Sequence, residues 1–300
     1  MTTSNLPNFY SCDYSRQAGE QLFATATEVK VWLLLEHNGA WGTKAFEESN
    51  LPEHIKARLN EQLVAVPGSR MQLIRQDRGK RATSFYVAIP KESDSVLYEF
   101  DLSSYDDLLA LDVSAIVAGD AAYQAHISDE PVFAVCTNSK RDVCCARYGT
   151  PVYQRMAQHA GALAWQTTHI GGHRFAATCV CLPYGVIYGR IPPDRAVEVI
   201  DETRQGRIVL DLYRGRSIYP PIVQAADYYL REQTGIRDLH GLRLLDMTST
   251  GENTWAVQFA ADGRTYLVDI LMDKSGVQTY QNSTDAAPTV VPQYRLISMA

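Results

Sequence analysis

Several large protein classes leave marks that this chain lacks. No uninterrupted apolar stretch approaches the roughly twenty residues that a membrane-spanning helix needs. The run VWLLLE at 31–36 suits a buried strand instead. The opening MTTSNLPNFYSC has neither a basic region nor an apolar core of the secretory kind, so a secretory signal is not expected. No basic block or stripe is present and the formal net charge is −6, which disfavours nucleic acid as a partner. There is no C-x-x-C motif, no low-complexity tract, and no pair of carboxylates at motif positions to suggest a glycosidase. Cysteine is sparse, at six residues in 300. Without a secretory leader, that count argues against a disulfide scaffold. A reducing cytoplasm is the expected compartment, and there clustered cysteines favour metal or redox chemistry.

What is present is an ordinary globular composition, 46% apolar and 21% charged, enough to bury substantial cores. Its chemistry is concentrated in residues 132–174. That stretch holds Cys136, Cys144 and Cys145, together with His169 and His173. Thiolate sulfur and imidazole nitrogen gathered within some forty positions are what a transition-metal or iron–sulfur site requires. Residues 132–135 read as a strand delivering Cys136 to the polar loop TNSKRD, which returns to the Cys144-Cys145 pair. Thr150-Pro151 is expected to open a helix, with proline suited to its first turn. Residues 163–168 read as the next strand, followed by His169-Ile170-Gly171-Gly172-His173. Two adjacent glycines disfavour helix by about 1 kcal/mol each. The histidine pair is therefore expected on a tight loop, where the glycines admit something bulky, more readily a cluster than a bare ion.

These segments resemble the sucrase/ferredoxin-like family, a branch of the thioredoxin-like 2Fe–2S ferredoxins. The matching motifs are C-T-N-S-K-R-D-V-C-C-A-R-Y-G, H-I-G-G-H-R-F-A-A-T and L-P-Y-G-V-I-Y-G-R, with WLLLEHNGAWG at 32–42 and Ser49-Asn50-Leu51-Pro52 in the first half. The resemblance implies a 2Fe–2S cluster held by Cys136, Cys145, His169 and His173. Cys145 is preferred to Cys144 because Cys145-Ala146-Arg147-Tyr148-Gly149 matches the family's small-x-Arg-x-Gly pattern, and histidines stand in place of a second cysteine pair. It also implies electron transfer to or from a redox partner protein, a reductase or an acceptor, and a carrier more than a substrate-converting enzyme.

The order strand–loop–helix–strand–strand occurs twice. VWLLLEHNGAWGTKAF is paralleled by VFAVCTNSKRDVCCARYG, MQLIRQ by LAWQTT, and SFYVAIP by ATCVCLP. The expected fold is α/β (α+β), with two thioredoxin-like halves and a small C-terminal antiparallel β module. Residues 1–120 would form a first half without a cluster, 121–236 the ferredoxin half, and 237–300 the module, with 281–288 as a polar tail segment. Residues 101–120 read as an acidic, partly helical connector.

Neutral imidazole in place of anionic thiolate removes negative charge from an oxidised cluster, which raises its potential above that of an all-cysteine ferredoxin. A Rieske-like division, with the cysteines on one iron and the histidines on the other, is one arrangement of the four. Structural zinc is the first rival. It suits a Cys2His2 set and the three-residue gap between histidines, but not the eight residues between Cys136 and Cys145. A thioredoxin-like thiol oxidoreductase is the second. Cys12 reads as an ordinary thiol, Cys144 as a small neighbour of the true ligand, and Cys179 and Cys181 as core residues on one side of a strand. Lys140, Arg141 and Arg147 read either as a solvated loop or as a positive rim for an acidic partner. Arg174 and Arg190 read as donors near the cluster or as partners of surface carboxylates.

Overall fold

A computed structural model describes residues 10–77 and 82–300. In the first half, β1 (Val31–Glu36) is buried at every position, as its unbroken apolar run requires. It pairs in parallel with β2 (Ser69–Arg75) and antiparallel with β3 (Thr83–Ile89), which pairs with β4 (Val96–Leu102). Helix α1 (Ser11–Gln17) precedes this half. Helix α2 (Glu53–Ala65) turns Ile55 and Leu59 onto the sheet, and the short α3 (Val113–Ala118) packs beside it. In the second half, β5 (Ile127–Ser128) adds to β4, while β6 (Val132–Cys136) pairs in parallel with β7 (Ala164–Thr167) and antiparallel with β8 (Cys179–Leu182). Strands β9 (Val186–Tyr188) and β10 (Tyr213–Arg216) complete that side. The strand order and sense of β2-β1-β3-β4 are thus repeated in β7-β6-β8-β9.

Two ladders join the halves, the edge pairing of β4 with β5 and a central one. β2 meets β7 antiparallel at Ile74↔Thr167 and Arg75↔Gln166, making a single ten-stranded sheet. The period-two alternation of strands then sorts the side chains. On β6, Phe133 and Val135 lie under α4 (Val143–Ala160) and α5 (Ala196–Arg204). Val132, Ala134 and Cys136 face the other way, into one core shared with Trp32, Leu34, Ile74 and Tyr86 of the first half. The sheet therefore curls so that the inner faces of both halves bury each other, and Cys136 ends a strand at the margin of that shared core.

The C-terminal module is a separate antiparallel sheet of β11 (Arg243–Gly251), β12 (Thr254–Ala261), β13 (Arg264–Asp273) and β16 (Gln293–Met299). Val257, Phe259, Val268 and Ile270 pack on Val223 and Leu230 of α6 (Pro221–Thr234). A two-stranded excursion, β14 (Gln278–Thr279) and β15 (Thr289–Val290), carries residues 281–283 back to the second half. No described helix is long and apolar enough to cross a membrane.

Helix α4 corrects the expected start at Thr150-Pro151. It begins at Val143, because the Asp142 carboxylate accepts from the Cys144 N–H at 2.9 Å and supplies the cap. Pro151 lies inside the helix, where it leaves one backbone acceptor without its N–H. Gly149 is required for a different reason: a Cβ there would collide with the carbonyl oxygen of Cys136, so glycine lets the helix lie against the end of β6. Gly149→Ala should destabilise the fold by about 1–3 kcal/mol despite a helix-propensity gain of about 1 kcal/mol. Denaturant unfolding checks this, and a stabilised variant would contradict the packing described.

Candidate metal centre

Cys136 is delivered by the end of β6, with its N–H bonded to Thr178 O at 3.0 Å. The loop that follows is braced against the first half, since Asn138 Nδ2 donates to Gly42 O at 3.0 Å and the Thr43 hydroxyl donates to Lys140 O at 3.1 Å. The chain then enters α4, which places Cys144 and Cys145 in its first turn. Their side chains part company there. Cys145 joins Cys136 and the shared core. Cys144 turns the other way and is disulfide-bonded to Cys12 on α1, 132 residues earlier. Cys12 is thus not the ordinary thiol expected of it, and the small neighbour Cys144 is its disulfide partner, because α1 docks with Cys12 buried against the start of α4.

Cys136, Cys145 and His169 present donor atoms that all lie within 4.8 Å of one another. Cys145 Sγ is 4.0 Å from His169 Nδ1. The two thiols share their acidity unequally. Cys145 donating to Cys136, with His169 beside it, holds the Cys136 thiol well below its ordinary range against the effect of burial. The same hydrogen bond, together with burial, pushes Cys145 well above it. The contacts thus favour negative charge on Cys136 over Cys145, and the N-terminal end of α4 favours negative charge nearby.

His169 and His173 sit on a loop held from several sides. His169 O accepts from Arg70 Nη2 at 2.6 Å and from Gln72 Nε2 at 3.4 Å, both on β2. Gly171 and Gly172 have φ of +104° and +68°. They make room for protein groups: a Cβ on Gly171 would strike Thr27 Oγ1, and one on Gly172 would strike Arg214 Nη2. The bulky neighbour inferred from the glycine pair is thus a buried guanidinium. Arg214 is 1% exposed and donates to Gly171 O at 2.9 Å and to Thr25 Oγ1 at 3.0 Å, fixing the loop to the segment before β1. Burial, reinforced by Arg174, lowers its pKa to about 9.

His173 stands one ring further out than the compact set of three, its ring centroid 5.0 Å from that of His169. Its Nε2 faces Gln281 O at 2.5 Å and Asp142 Oδ2 at 3.5 Å. Two oxygens there call for a proton on Nε2, which leaves Nδ1 as a lone-pair donor. That Nδ1 is buried with no hydrogen-bond partner among the described residues. Burial lowers the pKa of His173, with the Asp142 carboxylate opposing, so the neutral imidazole is favoured. An oriented neutral imidazole with an orphaned nitrogen is what a metal ligand looks like before the metal is added.

Sequence reading left several supporting residues out. Asp142 caps α4, accepts from Ser283 N at 2.8 Å and Ser283 Oγ at 2.9 Å, and faces His173. The 281–283 segment, expected as a mere polar tail, closes over the histidine loop, where Gln281 also accepts from Arg174 at 2.9 Å. Arg174 and Arg190 pair with no surface carboxylate among the described residues. They converge on buried Glu20, through its carboxylate at 2.8 Å and its carbonyl at 2.9 Å respectively. Arg147 lies over the Tyr10 ring at 4.2 Å. Cys179 and Cys181 are buried on the opposite face of the sheet from Cys136, as packing residues.

Residues 22–215 match the sucrase/ferredoxin-like family. Over 103 residues, 30% of this chain, the sequence is 37% identical to the altered inheritance of mitochondria protein 32 of Meyerozyma guilliermondii. That alignment covers 35% of the relative, so the chain spans about a third of the curated protein it matches. No solved structure matches it.

Asp142→Ala should cost about 2–3 kcal/mol, combining a lost helix cap with buried donors left unpaired. Asp142→Asn, which keeps a capping oxygen, should recover part of that. Stability should also fall as pH drops through about 6.5, the unperturbed histidine value. The unfolded chain then takes up a proton that His173, with its depressed pKa, does not. Equilibrium unfolding between pH 5 and pH 8 (a span of about 1.5 units either side of that value) reads both effects. A stability that rose on acidification would contradict the buried neutral imidazole.

Proposed function

Because the chain belongs to the sucrase/ferredoxin-like family, we propose that it is an electron-transfer protein whose 2Fe–2S cluster is held by Cys136, Cys145, His169 and His173. The observation that carries this reading is the convergence of two cysteines and one histidine within 4.8 Å beside a second histidine whose buried Nδ1 has no partner. Such a cluster, when bound, accepts and releases one electron. The chain's own residues do the rest. Cys136 is already the favoured thiolate, and Cys145 gives up its proton to become the second anionic ligand. His173 is aimed by Gln281 and Asp142, and His169 is held by Arg70 and Gln72 through its backbone. Cys136, Cys145 and His169 would supply the compact part of the donor set, and His173, beyond it, would complete the four. Cys144 is not the ligand, because its sulfur is engaged with Cys12.

His169 is the more accessible of the two imidazoles; His173 is buried. Electrons would therefore enter and leave at the His169 side, towards a redox partner protein. A zinc ion bound by the compact set is the competing use of the same residues, favoured by the closeness of three donors. Spectroelectrochemistry separates the readings and tests the ligands. The cluster potential should fall with rising pH, with a slope of up to about 59 mV per unit for one proton per electron. His169→Cys and His173→Cys should each lower the potential by on the order of 100 mV and remove part of that slope. A pH-independent potential unaffected by both substitutions would overturn histidine ligation.

A further inference from the structure

A cavity of about 430 Å³ opens beside His169. Its walls come from both halves of the molecule: residues 43–47 and 69–72 on one side, Asn138, Arg141, Thr168 and His169 on the other. Three cationic side chains line it, Lys44, Arg70 and Arg141, and none makes an ion pair among the described residues. Glu47 is the one carboxylate among the described wall residues, so the lining carries a net charge of +2. Arg70 is half-buried, and its known hydrogen bond is to His169 O. The fold brings two guanidinium-bearing side chains to one partly desolvated recess with no partner carboxylate among the described residues. Uncompensated like charge in a cleft is costly to the folded state, and that is the signature of a ligand site. Its size is that of a small-molecule pocket.

We infer that this cavity binds a small organic anion carrying two or more carboxylate or phosphate groups, held by Lys44, Arg70 and Arg141 against the exposed edge of His169. Arginine's planar fork matches both oxyanion types in two-point contact, and the lysine adds a point charge at the mouth. The site also gives the first half, which carries no metal-ligand set among its described residues, a direct share in the centre. The placement at His169 deepens the electron-transfer reading and rests on it for its consequence, but the binding itself needs no cluster.

The test is calorimetric titration of the full chain, as purified and after iron and sulfide loading, with two probes. Tricarballylate supplies carboxylates and fructose 1,6-bisphosphate supplies phosphates, so the pair of titrations identifies which oxyanion the site prefers. Binding to both protein forms is expected. Lys44→Gln and Arg141→Gln, both at exposed positions, should each weaken it about tenfold, the equivalent of one charge-assisted contact at 1.4 kcal/mol per decade. Lys274→Gln, on the C-terminal module, should leave it unchanged. Failure of both probes to bind, or binding insensitive to Lys44→Gln and Arg141→Gln, would overturn the site. In the first of these cases the cationic recess would be assigned instead to acidic side chains of a partner protein. A chain that binds the anion but takes up no iron would retain the site and refute the cluster. A chain that holds a cluster but binds no anion would do the reverse.

Discussion

One buried carboxylate holds the centre together. Asp142 ends the loop after Cys136, caps the helix that carries Cys145, faces the outer nitrogen of His173, and accepts two hydrogen bonds from Ser283. Three stretches of chain, around residues 142–145, 173 and 283, are therefore oriented by two oxygen atoms that solvent scarcely reaches. A donor set can be shared between a helix turn and a glycine loop only if both are fixed relative to each other, and Asp142 is the group common to both. The C-terminal segment that reaches it is then part of the centre, which explains why the β14–β15 excursion leaves its own small sheet to pack against the histidines.

The second constraint is the seam between the halves. β2 and β7 share only two register pairs, yet side chains reinforce the joint. Thr168 Oγ1 donates to Gln72 Oε1 at 2.7 Å, the Leu73 N–H donates to Thr168 Oγ1 at 3.1 Å, and Arg70 grips His169 O. The half without the Cys–His set thus positions one of the histidines and walls the cationic cavity beside it. Its apolar inner face is matched by that of the second half, so the two bury one continuous core.

Much of this was legible from residue patterns. The unbroken runs VWLLLE and VFAVC announced buried strands, their repeated order announced two similar halves, and the motif stretch 132–174 held the Cys136, Cys145 and His169 that the fold brings together. Other features depend on long-range contacts that local patterns do not carry. Asp142 is an unremarkable loop aspartate until Ser283 and His173 arrive from elsewhere. Cys12 is an isolated thiol until α1 docks on α4. The Tyr213–Arg216 strand carries Arg-Gly-Arg, which is not strand-like in isolation; both arginines are buried there and donate to backbone carbonyls of Gly171, Thr25 and Lys91. The glycine pair marks a close approach, and the protein groups approached are Thr27 and Arg214, which no local pattern identifies.

The central claim is that the four side chains hold iron and sulfide. Iron, zinc and acid-labile sulfide should be quantified, with the visible absorption spectrum, on one anaerobic preparation, and after reconstitution if it is pale. Two irons and two sulfides per chain, about the stoichiometry of a 2Fe–2S centre, in a red-brown protein are predicted. One zinc per chain without sulfide, in a protein that takes up no iron on reconstitution, would contradict the account.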